Sequence, residues 1–154
     1  MDPETLQRLR EQSGVKLDRE GRFLHQGEPI EHERTVQALH HGLHRAPDGR
    51  WATRLGTDWA YLDVEDVAYF IRAIAIDDSA GSLRAELIDG RSVDIDPSLL
   101  LTGAGDALYT RLPDGERARL SRAAQLSLAE RLIEEPLGTF ALKVGERRYL
   151  IGAA

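Results

Sequence analysis

The alternation of apolar and polar residues along the chain predicts many short strands. Leu83, Ala85 and Leu87 alternate with polar neighbours, which is the pattern of a strand with one buried face. The run from Tyr69 to Ile76 is apolar apart from Arg72, so we expect it to be a central strand. Turns that pair an acidic residue with glycine separate many of the strands. They are Glu20-Gly21, Asp48-Gly49, Asp89-Gly90 and Asp114-Gly115.

The first segment of the chain predicts a helix that is held weakly. Asp2 can cap it, Pro3 suits the first helical position, and Gly14 can end it. Leu6 and Leu9 are its only large apolar residues. We therefore expect a mobile arm or a contact surface, and a homodimer formed through this helix is one possibility.

Two further helices are predicted. One runs from about Glu31 to His44, because apolar residues recur there at spacings of three and four. Ser121 can cap the other, on which Ala124, Leu128 and Leu132 share one face.

These elements predict an α+β fold that is mostly antiparallel and has three main helices. We expect a strongly curved or barrel-like sheet built from repeated hairpin–helix units, because many short strands in a flat sheet would leave edges exposed. The expected organisation is an N-terminal helix over 1–14, an N-terminal α+β subdomain over 15–66 and a C-terminal α+β subdomain over 67–154, together in one compact unit.

Composition narrows the classes of protein. The chain has 154 residues, no cysteine and a formal net charge of −6. Its length suits one domain, and the missing cysteines exclude disulfides and zinc ribbons. The acidic balance makes nucleic acid an unlikely partner, since such binding needs a surplus of Lys and Arg. Without a signal peptide or a long apolar run, we expect a cytoplasmic protein that has no membrane partner.

The histidines suggest one candidate site. All five lie between His25 and His44, and the predicted second helix places His40 and His44 one turn apart, as two metal ligands would be. The zincin pattern is not met, because Val36 stands where its second histidine belongs. His40 also falls on the apolar face of the helix, so a packed core histidine is the alternative interpretation. No cofactor is predicted beyond this possible metal.

A short run of acidic residues from Asp63 to Asp66, here called the acidic step, suggests an alternative function. Asp63 and Glu65 share a strand face and Asp66 follows, so paired carboxylates could share a proton or hold a cation. Together with the segment from His32 to His44, this step would make a metal-binding protein or a hydrolase-type enzyme. The competing interpretation is an ordinary turn between strands.

Basic residues form a third candidate around one predicted hairpin. Tyr109, Arg111, Arg117, Arg119 and Arg122 are the predicted ligand-binding residues. The guanidinium groups of the four arginines could bind a phosphate or a carboxylate through forked hydrogen bonds. The alternative is a solvated outer face that neighbouring acidic residues balance.

Four sequence segments between Leu17 and Ile76 resemble an uncharacterised bacterial family, the domain of unknown function 1285. The segments are Asp18–Phe23, Gly27–Ile30, Asp48–Trp51 and Val64–Phe70. The resemblance implies a compact two-part α+β fold with repeated motifs, and a role in signalling or ligand sensing. It supplies no catalytic residues. The sequence departs from the family at Arg54-Leu55-Gly56, where the family has Thr-Pro.

No catalytic residues are predicted from the sequence itself. It lacks cysteine, a Gly-x-Ser-x-Gly elbow and a Gly-x-x-x-x-Gly-Lys phosphate loop. The leading interpretation is therefore a non-enzymatic binding module with a regulatory or signalling role. Its partner would be a small anion, a peptide or another protein.

Overall fold

The computed structural model describes residues 2–153, apart from the side chain of Leu55. The chain divides into two compact units, the first extending to Ala68 and the second beginning at Tyr69. Among the described residues, no helix has both the length and the apolar character needed to cross a membrane.

The N-terminal unit combines two helices with short strands. Helix α1 spans Pro3–Glu11 and helix α2 spans Glu33–His41. The strands are β1 (Val15–Leu17), β2 (Phe23–His25), β3 (Glu28–Pro29), β4 (His44–Arg45), β5 (Trp51–Leu55), β6 (Asp58–Tyr61) and β7 (Asp63–Val64). They form a four-stranded sheet in the order β3-β2-β1-β7 and a three-stranded sheet in the order β4-β5-β6.

Apolar side chains and one buried hydrogen bond hold this unit together. Leu17 and Phe23 lie opposite each other in the β1–β2 pair, and both are buried. Leu39 of α2 is also buried, and its carbonyl oxygen accepts a hydrogen bond from the Thr53 hydroxyl of β5 at 3.0 Å. The bond satisfies a hydroxyl that has no access to water.

Helix α1 begins as predicted but is at most partly buried. The Asp2 carboxylate accepts the backbone N–H of Thr5 at 2.8 Å, and Pro3 is the first helical residue. All nine residues of α1 are described and none is buried. Leu9, an expected anchor, is 54% exposed.

Helix α2 is shorter than predicted at both ends. His32 caps its start, and Gly42 follows its last residue, His41. A Cβ at Gly42 would lie 2.7 Å from the backbone nitrogen of Arg54, so β5 passes directly against this point of the chain. His44, expected on the helix, lies in β4 and pairs with β5 instead.

Gly27 and Pro29 do not end the strand pairing that begins with β2, although residues of these types usually interrupt strands. Gln26 and Gly27 both adopt positive φ and turn the chain, which returns as β3 with Pro29 opposite Leu24. Because β3 is an edge strand, the missing N–H of proline is tolerated there.

The C-terminal unit is built on a larger sheet. Its strands are β8 (Tyr69–Asp77), β9 (Ser82–Leu87), β10 (Ser92–Ile95), β11 (Leu101–Thr102), β12 (Leu108–Arg111), β13 (Arg117–Leu120), β14 (Leu132–Glu134), β15 (Phe140–Val144), β16 (Arg147–Leu150) and β17 (Gly152–Ala153). Helix α3 spans Arg122–Leu128, and short 3-10 turns occupy Pro97–Leu99, Ala104–Asp106, Ala129–Arg131 and Pro136–Gly138.

The seven-stranded sheet runs in the order β10-β9-β8-β13-β12-β11-β17, and β14-β15-β16 form a separate sheet. Strand β8 has a neighbour on each side, which confirms its predicted central position. Its Ile71 and the alternating Leu83, Ala85 and Leu87 of β9 belong to one continuous buried cluster. Leu128 of α3 joins the same cluster.

The end of α3 differs from the prediction. Ser121 caps the helix as expected, its hydroxyl accepting the N–H of Ala124 at 3.2 Å. Leu132, however, lies in β14 opposite Leu142, after the 3-10 turn Ala129–Arg131. Strand pairing with a buried partner outweighs helical periodicity at this position.

Asp78 joins distant parts of the C-terminal unit. Its carboxylate accepts hydrogen bonds from the Arg131 guanidinium at 2.5 Å and from the backbone N–H of Gly145 at 2.8 Å. These bonds, that of Arg131 first, lower the pKa of Asp78 from 3.8 to about 2. Gly145 has φ +60°, and a Cβ there would lie 2.6 Å from the Asp78 carbonyl oxygen.

The α+β class, the three α-helices and the mostly antiparallel pairing are confirmed for the described residues. Parallel pairs occur at β1–β7, β8–β13 and β11–β17. The barrel is not confirmed, because every sheet in the described part of the chain has two end strands. The repeat of hairpin and helix also stays a prediction: α3 follows hairpin β12–β13, but strands follow hairpin β5–β6.

Candidate ligand-binding groove

The N-terminal unit contains an open groove with a volume of about 550 Å³. The end of α1, the start of β1, the turn between β4 and β5 and the segment from β6 to β7 form its walls. The side chains that matter for its chemistry are Glu11, Ser13, Arg45, Arg50, Trp51 and Tyr61. This volume lies within the range of ~300–1,000 Å³ that small-ligand sites occupy.

Two arginines lie over two aromatic rings of the groove. The Arg50 guanidinium carbon is 3.6 Å from the ring centroid of Tyr61, and that of Arg45 is 4.0 Å from the ring centroid of Trp51. The tight turn between β4 and β5 brings the arginines there, and Arg45 also donates to the carbonyl oxygen of Gly49 at 2.9 Å. A stacked guanidinium presents its N–H donors along its edge, in the plane where carboxylates bind.

Carboxylates already hold Arg50. Its Nε donates to Asp48 at 2.8 Å, and its Nη2 donates to Glu11 of α1 at 3.3 Å. The Tyr61 hydroxyl donates to the same Asp48 oxygen at 2.9 Å. The Tyr61 ring and the two acids therefore hold the Arg50 guanidinium at the wall of the groove.

These bonds keep both acids ionised. The backbone N–H of Arg50 is the main cause that lowers the pKa of Asp48, and the Arg50 and Tyr61 side chains add to it. The Gln7 amide, followed by Arg50, lowers the pKa of Glu11. Neither acid has the raised pKa that a general acid needs at neutral pH.

Ser13 fixes the end of α1 beside the groove. Its hydroxyl donates to the carbonyl oxygen of Tyr61 at 2.5 Å and accepts the backbone N–H of Val15 at 3.2 Å. Since α1 buries no residue, such polar contacts position Glu11 near Arg50.

The predicted metal pair does not keep its helical spacing. His40 is only 4% exposed and makes an edge contact with Phe23, with ring centroids 4.6 Å apart. His44 lies beyond the helix, and its Nδ1 is 2.7 Å from the carbonyl oxygen of Gly42. Within residues 2–153, no group of three or more His, Asp or Glu side chains is arranged to hold a metal. A metal-binding role for His40 and His44 stays a prediction.

Two residues of the acidic step, Glu65 and Asp63, lie in different surroundings. Glu65 accepts the backbone N–H of Arg19 at 2.9 Å and forms an ion pair with its side chain. Asp63 is exposed in β7 at the edge of the groove. A hydrolase-type site that uses Asp63, Glu65 and Asp66 stays a prediction.

The predicted arginine hairpin forms with the expected register, in which Tyr109 faces Arg119 and Arg111 faces Arg117. The Arg117 and Arg119 guanidinium groups lie 4.7 and 5.8 Å from the Tyr109 ring centroid. Arg111 instead donates to the Gly115 carbonyl oxygen at 2.8 Å. Arg122 is the exposed first residue of α3. Anion binding by these residues stays a prediction.

Sequence reasoning missed the groove. A signal was present, because Arg45 and Arg50 flank a turn beside the aromatic residues Trp51 and Tyr61 of a predicted hairpin. No local pattern could place Glu11 there, since its position depends on how α1 docks against β6.

Comparison with solved structures shows which known proteins have a similar fold. No protein-family model matches the chain, and no curated protein matches it. A crystal structure of a DUF1285 family protein from Silicibacter pomeroyi DSS-3 is similar at a TM-score of 0.66 and 17% identity, over 90% of this chain and 79% of that chain. A DUF1285 family protein from Shewanella baltica OS155 is similar at a TM-score of 0.56 and 16% identity, over 77% of this chain and 91% of that chain. The resemblance to domain of unknown function 1285 is thus confirmed in the fold.

Proposed function

Starting from the fold of the DUF1285 proteins, we propose that this protein is a non-enzymatic ligand-binding module with a regulatory role. Its site is the groove of the N-terminal unit, which binds a small molecule or peptide through a carboxylate. The observation that supports this most is the pair of stacked arginines, Arg45 on Trp51 and Arg50 on Tyr61, in one groove.

A carboxylate is favoured because Arg50 already binds one. Glu11 contacts its Nη2 at 3.3 Å from a helix with no buried residue. Both side chains of this ion pair are about half exposed. Exposed ion pairs contribute only ~0–1 kcal/mol, so an incoming carboxylate can replace Glu11 at little cost.

The ionised state of the two acids in the groove, Asp48 and Glu11, favours binding without catalysis. Asp48 and Glu11 have lowered pKa values and are both bonded to Arg50. Such acids orient an arginine well but are poorly suited to transfer protons near pH 7.

The test is an NMR titration of the full chain with the α-amide of N-acetyl-L-glutamate. The matched probe is the α-amide of N-acetyl-L-glutamine, which lacks only the carboxylate. We expect backbone signals from Arg45 to Tyr61 to shift with the glutamate probe alone. Glu11→Gln should tighten binding by up to about fivefold, the factor for ~1 kcal/mol.

Arg50→Gln should abolish the response, whereas Arg54→Gln, a change to an exposed arginine of β5 outside the groove, should preserve it. Equal shifts with both probes, or no shift even in Glu11→Gln, would show that the groove is not a carboxylate site.

A further inference from the structure

A cluster of aromatic and charged side chains lies at the start of β6, next to the groove. Trp59 and Tyr61 share one face of the strand, with ring centroids 5.0 Å apart and planes at 85°. The Arg10 guanidinium lies over Trp59, 4.1 Å from its ring centroid, and Nη2 donates to Asp58 at 3.1 Å. We call Asp58 and Trp59 the arginine seat.

The seat has the chemistry that selects a guanidinium. The aromatic face attracts the flat cation, and the carboxylate accepts a hydrogen bond from its edge. Asp58 also accepts the backbone N–H of Trp59 at 2.8 Å, so its carboxylate is already oriented. A lysine ammonium cannot stack on the ring and bond along its edge in the same way.

Arg10 fits the seat imperfectly. Its Nε is buried and has no hydrogen-bond partner among the described residues. A buried donor without a partner costs free energy, which weakens the hold of the seat on this arginine. The helix that carries Arg10 has no buried residue to compensate.

We propose that the arginine seat binds an arginine side chain of a partner polypeptide, and that Arg10 fills it when the partner is absent. The charge of the chain, −6, favours a basic partner. A partner arginine whose Nε finds an acceptor would satisfy the donor that Arg10 leaves unpaired. This surface takes a cation and so differs from the groove, whose proposed ligand is an anion.

The test uses the full chain with Trp51→Phe, which leaves Trp59 as the only tryptophan. Its indole N–H signal is followed by NMR while acetyl-Gly-Ala-Arg-Ala-Gly-amide is added. Matched peptides carry Lys or Gln in place of Arg. The same titrations are repeated in the Arg10→Gln background, where the seat is vacated, and the backbone amide spectrum reports whether the fold is kept.

We expect the arginine peptide to shift the Trp59 signal, the lysine peptide to shift it less, and the glutamine peptide to leave it unchanged. Arg10→Gln should tighten arginine binding by about tenfold if Arg10 fills the seat about nine-tenths of the time. Asp58→Asn should weaken binding in that background. Glu28→Gln, a change to an exposed acid of β3 outside both the seat and the groove, should not.

Two results would overturn the proposal. One is a Trp59 response in Arg10→Gln that is the same for the arginine and glutamine peptides, or absent for both. The other is a concentration-dependent dimer, detected by analytical ultracentrifugation, that Arg10→Gln abolishes. In that case the seat would be occupied by α1 of a second copy of the chain. The groove titration with the glutamate probe is run on the chain that keeps Trp51 and Arg10, so its outcome is scored separately from both.

Discussion

The two units attach their helices by different means. Helix α3 of the C-terminal unit buries Ala124 and Leu128 in a continuous apolar cluster. Helix α1 of the N-terminal unit has no fully buried residue, and Arg10, Glu11 and Ser13 make polar contacts that position it. Apolar burial holds α3 in place, whereas polar contacts carry much of the attachment of α1. Both surfaces that we propose for recognition lie in the N-terminal unit, next to this weakly buried helix.

Stacked arginines occur in both units, but their surroundings differ. The Tyr109 ring that bears Arg117 and Arg119 is 7% exposed, and a Cβ at Gly103 would lie 2.6 Å from it. Trp51, Trp59 and Tyr61 are only half-buried. The same interaction therefore packs a closed part of one unit and lines accessible surfaces of the other.

The largest contrast should appear when apolar side chains are shortened. Leu83→Ala removes a fully buried side chain of β9 and should cost about 2–5 kcal/mol of unfolding free energy. Leu9→Ala changes an exposed residue of α1 and should cost less than about 0.5 kcal/mol. Urea unfolding followed by circular dichroism measures both. Similar losses for the two variants would mean that α1 is anchored by burial after all.

Gly145→Ala should destabilise the C-terminal unit by about 1–3 kcal/mol, because it combines a positive φ with a backbone contact at 2.6 Å. Gly115→Ala is the matched control, since Gly115 has φ +91° with no atom near its Cβ position. The difference between the two melting temperatures isolates the contact with Asp78. Equal losses would show that strain alone acts at Gly145.

Acid should release the Asp78 contact. The folded pKa of Asp78 is about 2, below its ordinary 3.8, so the contact stabilises the protein above that range and is lost as the pH falls toward 2. Asp78→Asn should therefore lower the melting temperature at pH 7, and its difference from the unchanged chain should shrink between about pH 4 and pH 2. A difference that stays constant down to pH 2 would contradict the assignment.

The smallest effect should come from metal. His40 packs against Phe23, and His44 lies outside α2. Adding zinc should therefore leave the melting temperature of the chain unchanged. Zinc should likewise have no effect on the melting temperature of the His40→Leu variant. A zinc-dependent rise that His40→Leu abolishes would restore the metal hypothesis.

Sequence patterns predicted the buried elements better than the polar ones. The alternation at Leu83, Ala85 and Leu87 specified β9 because burial of one face imposes a period of two. The end of α2 was placed too late, since Gly42 meets a strand that comes from later in the chain. Leu132 was assigned to α3 because its pairing with β15 leaves no local signal.

The candidate site was harder to predict for the same physical reason. The arginine hairpin was visible because its residues are neighbours in sequence. Arg45 and Arg50 are also close in sequence. Their place in a binding groove, however, depends on Glu11 and on the open space between α1 and the strands. A helix with only two large apolar residues, Leu6 and Leu9, gives a weak periodic signal for where it docks.

The most direct measurement is a backbone chemical-shift map of Glu11→Gln titrated with the α-amide of N-acetyl-L-glutamate. The groove and the arginine hairpin then compete for one carboxylate in one experiment. We predict that the largest shifts lie between Arg45 and Tyr61 and disappear in the additional presence of Arg50→Gln. Largest shifts at Tyr109, Arg117 and Arg119, or no shifts at all, would contradict the assignment of binding to the N-terminal unit.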